Sequence, residues 1–338
     1  GETLLRVVSR VARAGDLGEA RLADLRTIVQ QKNRNELIAE IQSKNVELQE
    51  SLDNLRRTRS AKERMESELN IGSEIQMSML PLVFPAFPHR RDFDVHAALH
   101  PAREVGGDFY DLFLIDEDHF CFCVGDVSGK GVPAALFMAV TKTLIKSRAA
   151  NDLSPASILS HVNSEQAQGN DSCMFVTIFL AILNLDTGNM TYSNAGHNPP
   201  YVQRSDGKLL RLDNRHGPVI GAVEGIAYGE SEVQLAHGEL AYLYTDGITE
   251  AMDVERTLYS EDRLKHMLEH RSYNSAKHAV AETVNDVWAF QGDASQADDV
   301  TVLALRYHGR AIAERGSELK LVIINQFEEI SRVSDAFN

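Results

Sequence analysis

Four aspartates stand where short β-rich apolar runs begin or end: Val105-Gly106-Gly107-Asp108, Val124-Gly125-Asp126-Val127, Tyr244-Thr245-Asp246-Gly247 and Asp298-Asp299-Val300-Thr301. An aspartate at a strand end beside glycine can turn its carboxylate, and its neighbours' carbonyls, towards one point. Any single Asp-Gly pair is an ordinary surface turn. Four at strand edges predict strands that converge on one acidic site. Oxygen donors without histidine or cysteine suit hard divalent cations, Mg²⁺ or Mn²⁺. Two such ions side by side activate water for attack on a phosphate ester.

The positions differ in what they can offer. Asp126 follows the run Phe120–Val124 and precedes Ser128-Gly129-Lys130-Gly131, whose glycines let the backbone fold close to a ligand. Its carboxylate can bridge two cations while the Val127 carbonyl serves one of them. Asp108 follows two glycines, and Asp246 stands between a strand and a helix start. Asp298 and Asp299 precede a strand, where alternation sends one towards the site and the other away. Rival motifs fail on spacing. Gly125-Asp126-Val127-Ser128-Gly129-Lys130-Gly131 is one residue short of a phosphate-binding P-loop and has glycine where Ser/Thr would hold Mg²⁺. The nucleophile elbow Gly-x-Ser-x-Gly, the zinc motif His-Glu-x-x-His and the cysteine-phosphatase loop are all missing. No protein nucleophile is indicated, which leaves metal-activated water. His197, in Ala195-Gly196-His197-Asn198-Pro199-Pro200, is placed to protonate a leaving serine oxygen. Its tight strand-to-strand connection favours instead a structural role on backbone carbonyls. Arg103 is near enough to Asp108 to meet phosphate, although a solvated loop arginine is the plainer description.

Composition narrows the partners. The 338 residues carry a formal charge of −15, which opposes attraction to nucleic acid or anionic lipid. Hydrophobic content of 43% and charged content of 25% are those of a globular protein with room for about two domains. Cys121, Cys123 and Cys173 form no Cys-x-x-Cys pair, so free thiols in a reducing compartment are expected. No apolar stretch reaches the length of a membrane span and no secretory signal is present, so the chain as given is expected to be cytoplasmic.

Texture divides the chain. Leu4, Val7, Val8 and Val11 recur at helical spacing before Ala14-Gly15-Asp16-Leu17-Gly18 interrupts the pattern, and a second helix begins near Leu22. From Ile38 a heptad emerges, with Ile38, Asn45 and Leu52 at one seam position and Ile41, Leu48 and Leu55 at the other. That pattern predicts a coiled coil, and a lone seam asparagine favours a defined register in a parallel dimer. The frame then meets Arg59, Lys62 and Glu66, which reads equally as a solvated surface or as a weak segment able to change register. Strands are predicted at Phe93–Leu99, Phe109–Ile115, Phe120–Val124, Met174–Leu185, Met190–Ser193, Pro200–Gln203, Leu209–Leu212, Leu240–Tyr244 and Val300–Tyr307. Helices are predicted at Pro133–Arg148, from Pro155 to about Gln168, at Glu261–Glu269 and at Ser275–Ala289. The order is not strictly alternating, which argues an α+β fold of sheets sandwiched between helices.

Two resemblances add to this reading. The opening residues, 1–36, resemble a HAMP signal-relay module, with 37–80 as a coiled coil and switch-helix linker. Such a module implies an upstream membrane sensor and placement as the cytoplasmic part of an inner-membrane protein. Residues 81–310 resemble the bacterial SpoIIE/RsbU branch of the PPM metal-dependent Ser/Thr protein phosphatases. The motifs that carry the likeness are Ile75-Gln76 with Met79-Leu80-Pro81, Pro101-Ala102-Arg103-Glu104-Val105-Gly106-Gly107-Asp108-Phe109-Tyr110-Asp111, Gly125–Gly131, Ala195–Pro200, Thr245-Asp246-Gly247 with Glu250, and Asp298-Asp299-Val300-Thr301. The resemblance implies an α-β-β-α sandwich holding two Mn²⁺ or Mg²⁺ ions. Asp126 would serve both ions, the Val127 carbonyl, Asp246 and Asp298 would complete the set, and Asp108 would hold the second ion. Asp126 and Asp108 would be the catalytic carboxylates, with Asp299, Gly247, His197 and Arg103 beside them. It further implies in-line hydrolysis of phosphoserine or phosphothreonine without a phosphoenzyme, and a STAS-type anti-sigma-factor antagonist as the phosphorylated partner. A silent phosphoprotein-binding scaffold and a hydrolase of small phosphate esters are the rivals. Residues 311–338 read either as a plain extension or as the opening of an ATPase-like anti-sigma domain.

Overall fold

A computed structural model describes residues 19–103 and 105–309. The first HAMP-like helix with its Gly-Asp-Leu connector, and the extension over 311–338, lie outside the described residues. The chain divides into two compact units between Glu68 and Leu69, upstream of the boundary expected at residue 80.

The described part of the first unit belongs to one helix, α1 (Glu19–Ser78). It contains no proline and a single glycine, Gly72, so nothing in its sequence breaks the hydrogen-bond ladder. The seam residues Ile38, Ile41, Leu48, Leu52 and Leu55 are between 43% and 65% exposed, so the apolar stripe has no cover among the described residues. Where the stripe lapses, Arg59–Glu63 (2.8 Å), Lys62–Glu66 (3.4 Å) and Arg64–Glu68 (3.1 Å) form i,i+4 ion pairs. Such exposed pairs contribute only about 0.3–0.5 kcal/mol each. No helix among the described residues is long and apolar enough to cross a membrane.

The second unit is a four-layer sandwich. One sheet has the order β1-β10-β9-β6-β7: β1 (Phe93–His100), β6 (Tyr201–Gln203), β7 (Leu209–Arg211), β9 (Leu240–Tyr244) and β10 (Val300–Tyr307). The other has the order β2-β3-β4-β5-β8: β2 (Phe109–Leu114), β3 (His119–Val127), β4 (Val176–Asn184), β5 (Asn189–Ala195) and β8 (Ser231–Gln234). Every strand pair is antiparallel. Helices α2 (Val132–Ala149) and α3 (Pro155–Ala167) cover the second sheet; α5 (Ser260–His270) and α6 (Ala276–Gln291) belong to the first, with the short α4 (Asp246–Thr249) between.

Alternation explains the layers. On β9, Ala241 and Leu243 enter the core between the sheets, whereas Leu240, Tyr242 and Tyr244 join the cluster packed under α5 and α6. The run Phe120–Val124 on β3 is wholly buried, because both faces of that sheet are covered. The expected β9 and β10 match the observed bounds, and the other predicted strands differ by a few residues at their ends. The edge strand β8 was not expected: Ser231-Glu232-Val233-Gln234 buries only Val233 and is defined by its pairing to β5.

One buried ion pair fastens α2 to its sheet. Lys142 Nζ lies 2.6 Å from Asp111 Oδ1, and both side chains are largely screened from solvent. Burial raises the neighbouring thiols well above their usual range, Cys123 to about 12, so Cys121 and Cys123 are inert core residues. Breaking such a pair from one side leaves an uncompensated charge. Lys142→Met is therefore expected to lower unfolding free energy by about 3–5 kcal/mol in urea titrations. Adding Asp111→Asn to that variant is expected to recover most of the loss.

Candidate metal centre

Asp108 and Asp126 meet through strand register. Phe109 pairs with Gly125, so the residues just beyond this pair, Asp108 and Asp126, come together where β2 starts and β3 ends. Asp246 follows β9, and Asp298 and Asp299 precede its partner β10. The two sheets thus deliver their acidic ends to the same edge of the sandwich. The structure brings together Asp108, Asp126, Asp246, Asp298 and Asp299, and the shifted carboxyls of Asp108, Asp126 and Asp246 record their neighbours.

Burial first, then Asp126 and Asp299, push the Asp108 carboxyl well above the usual carboxylate range. Thr301 Oγ1 donates to Asp108 Oδ2 at 2.6 Å and opposes that rise. Asp126 is raised from 3.8 to about 7 by burial, then by Asp246, with Asp298 and Asp299 adding to it; a hydrogen bond from Asp108 acts the other way. Asp246 is raised by burial, by Glu250 and by Asp298, and lowered by Lys130. Carboxylates this crowded prefer protons unless cations neutralise them.

Asp298 and Asp299 divide the labour that alternation anticipated. Asp299 is buried and accepts from the backbone N–H groups of Ala102 (2.8 Å), Gly107 (3.0 Å) and Asp108 (3.5 Å). It ties the loop before β2 to the start of β10. Asp298 is half-exposed and takes Lys130 Nζ at 3.0 Å. Three glycines make these approaches feasible. A Cβ at Gly106 would lie 2.0 Å from Asp299 Oδ2, one at Gly107 would lie 2.6 Å from the Val127 carbonyl oxygen, and one at Gly247 would lie 1.9 Å from the Asp299 carbonyl oxygen. Thr245 and Thr301 lock the other side, with Thr245 N donating to Thr301 O and Thr301 N to Thr245 Oγ1, both at 3.1 Å.

His197 stands behind the centre. It is buried, its N–H donates to Asn194 Oδ1 at 2.8 Å, and Nδ1 lies 2.9 Å from Thr177 Oγ1. Thr177 is the strand partner of Asp126. Burial lowers the His197 pKa to about 4, and a backbone hydrogen bond with Tyr244 acts the other way. Arg103 is exposed and makes no hydrogen bond or ion pair among the described residues.

Three participants appeared in the sequence without a role of their own. Gln76, near the end of α1, is buried; its Nε2 donates to Gly106 O at 2.8 Å and its Oε1 accepts from Gly106 N at 3.2 Å. Thr301 and Lys130 were legible only as motif letters.

The donor set is all oxygen, as Mg²⁺ and Mn²⁺ require. The glycine-permitted approach at the Val127 carbonyl and the Lys130 ammonium already on Asp298 both mark the centre as built for positive charge. Among the described residues no three acidic, histidine or cysteine side chains close tightly around one point.

Comparison with known proteins agrees with this architecture. The family model described as Stage II sporulation protein E (SpoIIE) matches residues 116–308. The phosphoserine phosphatase RsbU of Bacillus subtilis is 30% identical over 249 residues, covering 73% of this chain and 72% of RsbU. Protein IcfG of Synechocystis is 29% identical over 266 residues; the match covers 70% of this chain but only 41% of IcfG. Among solved structures, the SiaA-PP2C domain of Pseudomonas aeruginosa superposes with a TM-score of 0.65 at 24% identity, covering 73% of this chain and 98% of that domain.

The sign of the pH dependence follows from Asp126. Its folded pKa lies above its ordinary value, so its contribution to stability is complete below about pH 4 and is lost as pH rises through about 7. Metal-depleted protein is therefore expected to show a lower Tm at pH 8 than Asp126→Asn in the same buffer. Saturating Mn²⁺ is expected to raise the parent's Tm at pH 8 and to raise it less in the variant, by differential scanning fluorimetry.

Proposed function

We propose, from the premise that the chain belongs to the SpoIIE family of PP2C-type protein phosphatases and is a phosphoprotein phosphatase, that it removes phosphate from a STAS-type anti-sigma-factor antagonist and does so under control of its N-terminal helix. The observation that carries the metal-dependent reading is the gathering of Asp108, Asp126, Asp246 and Asp298 at one sandwich edge beside the Val127 carbonyl. These groups would hold two Mn²⁺ or Mg²⁺ ions, with Asp126 serving both. When bound, such ions supply Lewis-acid charge and an activated water.

The chain's own residues prepare the site. Asp299 holds the Ala102–Asp108 backbone against β10, which fixes where the Asp108 carboxyl stands. Thr301 orients that carboxyl. The buried thiols Cys121 and Cys123 offer no nucleophile, in keeping with direct attack by water. A partner-switching substrate is cytoplasmic, so the catalytic unit would work in the cytoplasm.

Two observations support control from α1. Its coiled-coil seam is apolar and uncovered in a single chain, the state expected of one half of a parallel dimer. Its last turns end on Gln76, which grips both backbone groups of Gly106, two residues before Asp108. A change of register where Arg59, Lys62 and Glu66 interrupt the seam would reach the metal loop through that grip.

Hydrolysis of p-nitrophenyl phosphate and of a phosphorylated STAS-fold protein, with Mn²⁺, Mg²⁺ or EDTA, tests the chemistry. Turnover is expected only with metal, and Asp126→Asn is expected to lower kcat by about a thousandfold, since metal activation contributes several kcal/mol. Metal-independent turnover would refute the reading. Light scattering is expected to show a dimer that Leu48→Lys with Leu52→Lys converts to monomer. Leucine at residues 59, 62 and 66 together is expected to lock phosphatase activity high or low, and unchanged activity would refute control through the seam.

A further inference from the structure

Lys130 is the one cation that reaches into the acidic centre among the described interactions. Its ammonium donates to Asp298 Oδ1 at 3.0 Å and to the Ala297 carbonyl oxygen at 3.0 Å. The same charge acts on Asp246, whose carboxyl it lowers against the rise caused by its other neighbours. Lys130 thus contacts Asp298 and bears electrostatically on Asp246, two of the carboxylates assigned above to the ions.

The backbone that carries Lys130 is anchored on both sides. Ser128 N donates to Phe175 O at 2.8 Å, and Phe175 N donates to Ser128 Oγ at 2.9 Å. Gly131 N donates to Val105 O at 3.2 Å, and its own carbonyl accepts from Ala135 N as α2 begins. Between these points Gly129 and Gly131 have φ of +84° and +82°, the left-handed region that lets so short a loop turn back towards β10. The loop is held while the side chain remains free to move. A lysine ammonium on four methylenes is a compact charge with many accessible rotamers, and both Lys130 and Asp298 are more than a third exposed.

We propose that Lys130 is a tethered cation that neutralises the Asp246/Asp298 end of the centre and is displaced by the second divalent ion, so that it sets how tightly, and how late, that ion binds. The inference rests on the metal-dependent reading above. Asp298 Oδ1 already accepts from both Lys130 Nζ and Asp299 N, and an ammonium and a divalent ion gathered on one carboxylate repel each other, the ion carrying twice the charge. A half-exposed pair is weak enough to be displaced, yet strong enough to change affinity by about two- to fivefold. Without a neutralising charge, Asp246 and Asp298 would repel one another before the ion arrived. Lys130 relieves that repulsion and then leaves.

Calorimetric titration of Mn²⁺ into metal-depleted parent, Lys130→Met, Lys130→Arg and Asp126→Asn proteins tests this, together with amine-labelling rates of Lys130 read by peptide mass spectrometry. The parent is expected to show a tighter and a weaker class of site. Lys130→Met is expected to tighten the weaker class about fivefold and leave the tighter one unchanged, whereas Lys130→Arg stays within twofold of the parent. Saturating Mn²⁺ is expected to speed labelling of Lys130 severalfold while the exposed Lys208 keeps its rate. An unchanged weaker class in Lys130→Met, or metal-independent labelling of Lys130, overturns this inference alone. A parent that binds no Mn²⁺ overturns the metal-dependent reading and this inference with it.

Discussion

Repulsion among five carboxylates at one sandwich edge is the constraint to which the surrounding structure answers. Asp108, Asp126, Asp246, Asp298 and Asp299 come from four different strand ends, so folding must force like charges together. The chain manages this by giving each a different environment. Asp299 is committed to three backbone N–H groups and becomes part of the framework. Asp298 shares its charge with Lys130. Asp108 and Asp126 are left strained towards protonation, both by burial first, then Asp108 by Asp126 and Asp126 by Asp246. What holds them there is packing: β3 and β4 are buried on both faces, and their register cannot slip without turning core side chains outwards.

The glycines next to these aspartates follow from the same constraint. Gly106 and Gly247 leave room for Asp299, and Gly107 leaves room for the Val127 carbonyl. Sequence reading took the two glycines before Asp108 as permitting close approach without naming what approaches them. At these three positions the reason is the missing Cβ, since the contacts are with groups up to 193 residues away. A local reading cannot see that.

How much of the fold was legible depended on where its information lies. β9 and β10 were readable to the residue because apolar runs stop at Thr245 and start at Val300, against polar punctuation. β8 was invisible because an edge strand of four residues with one buried side chain is specified by the backbone of its neighbour. That the aspartates gather at one edge was legible because aspartates at strand ends leave a local mark. What Asp299 holds was not, since its partners are the Ala102 and Gly107 amides, 197 and 192 residues away. Gln76 was legible only as a letter of the Ile75-Gln76 motif; what it holds was not, because its partner lies 30 residues away.

That grip gives α1 a mechanical meaning that its composition alone does not supply. A long helix whose apolar seam is uncovered cannot be explained by its own packing, and exposed i,i+4 ion pairs are too weak to account for it. Its final turns, in contrast, are fixed, because Gln76 satisfies two buried backbone groups that would otherwise be orphaned. A rotation or withdrawal of the helix end would leave the Gly106 N–H and C=O unpaired at a cost of about 1–3 kcal/mol each, and the loop would have to move to recover them. Since Asp299 holds the next two amides of that loop, Gly107 and Asp108, movement of Gly106 bears directly on the carboxylate that frames the centre.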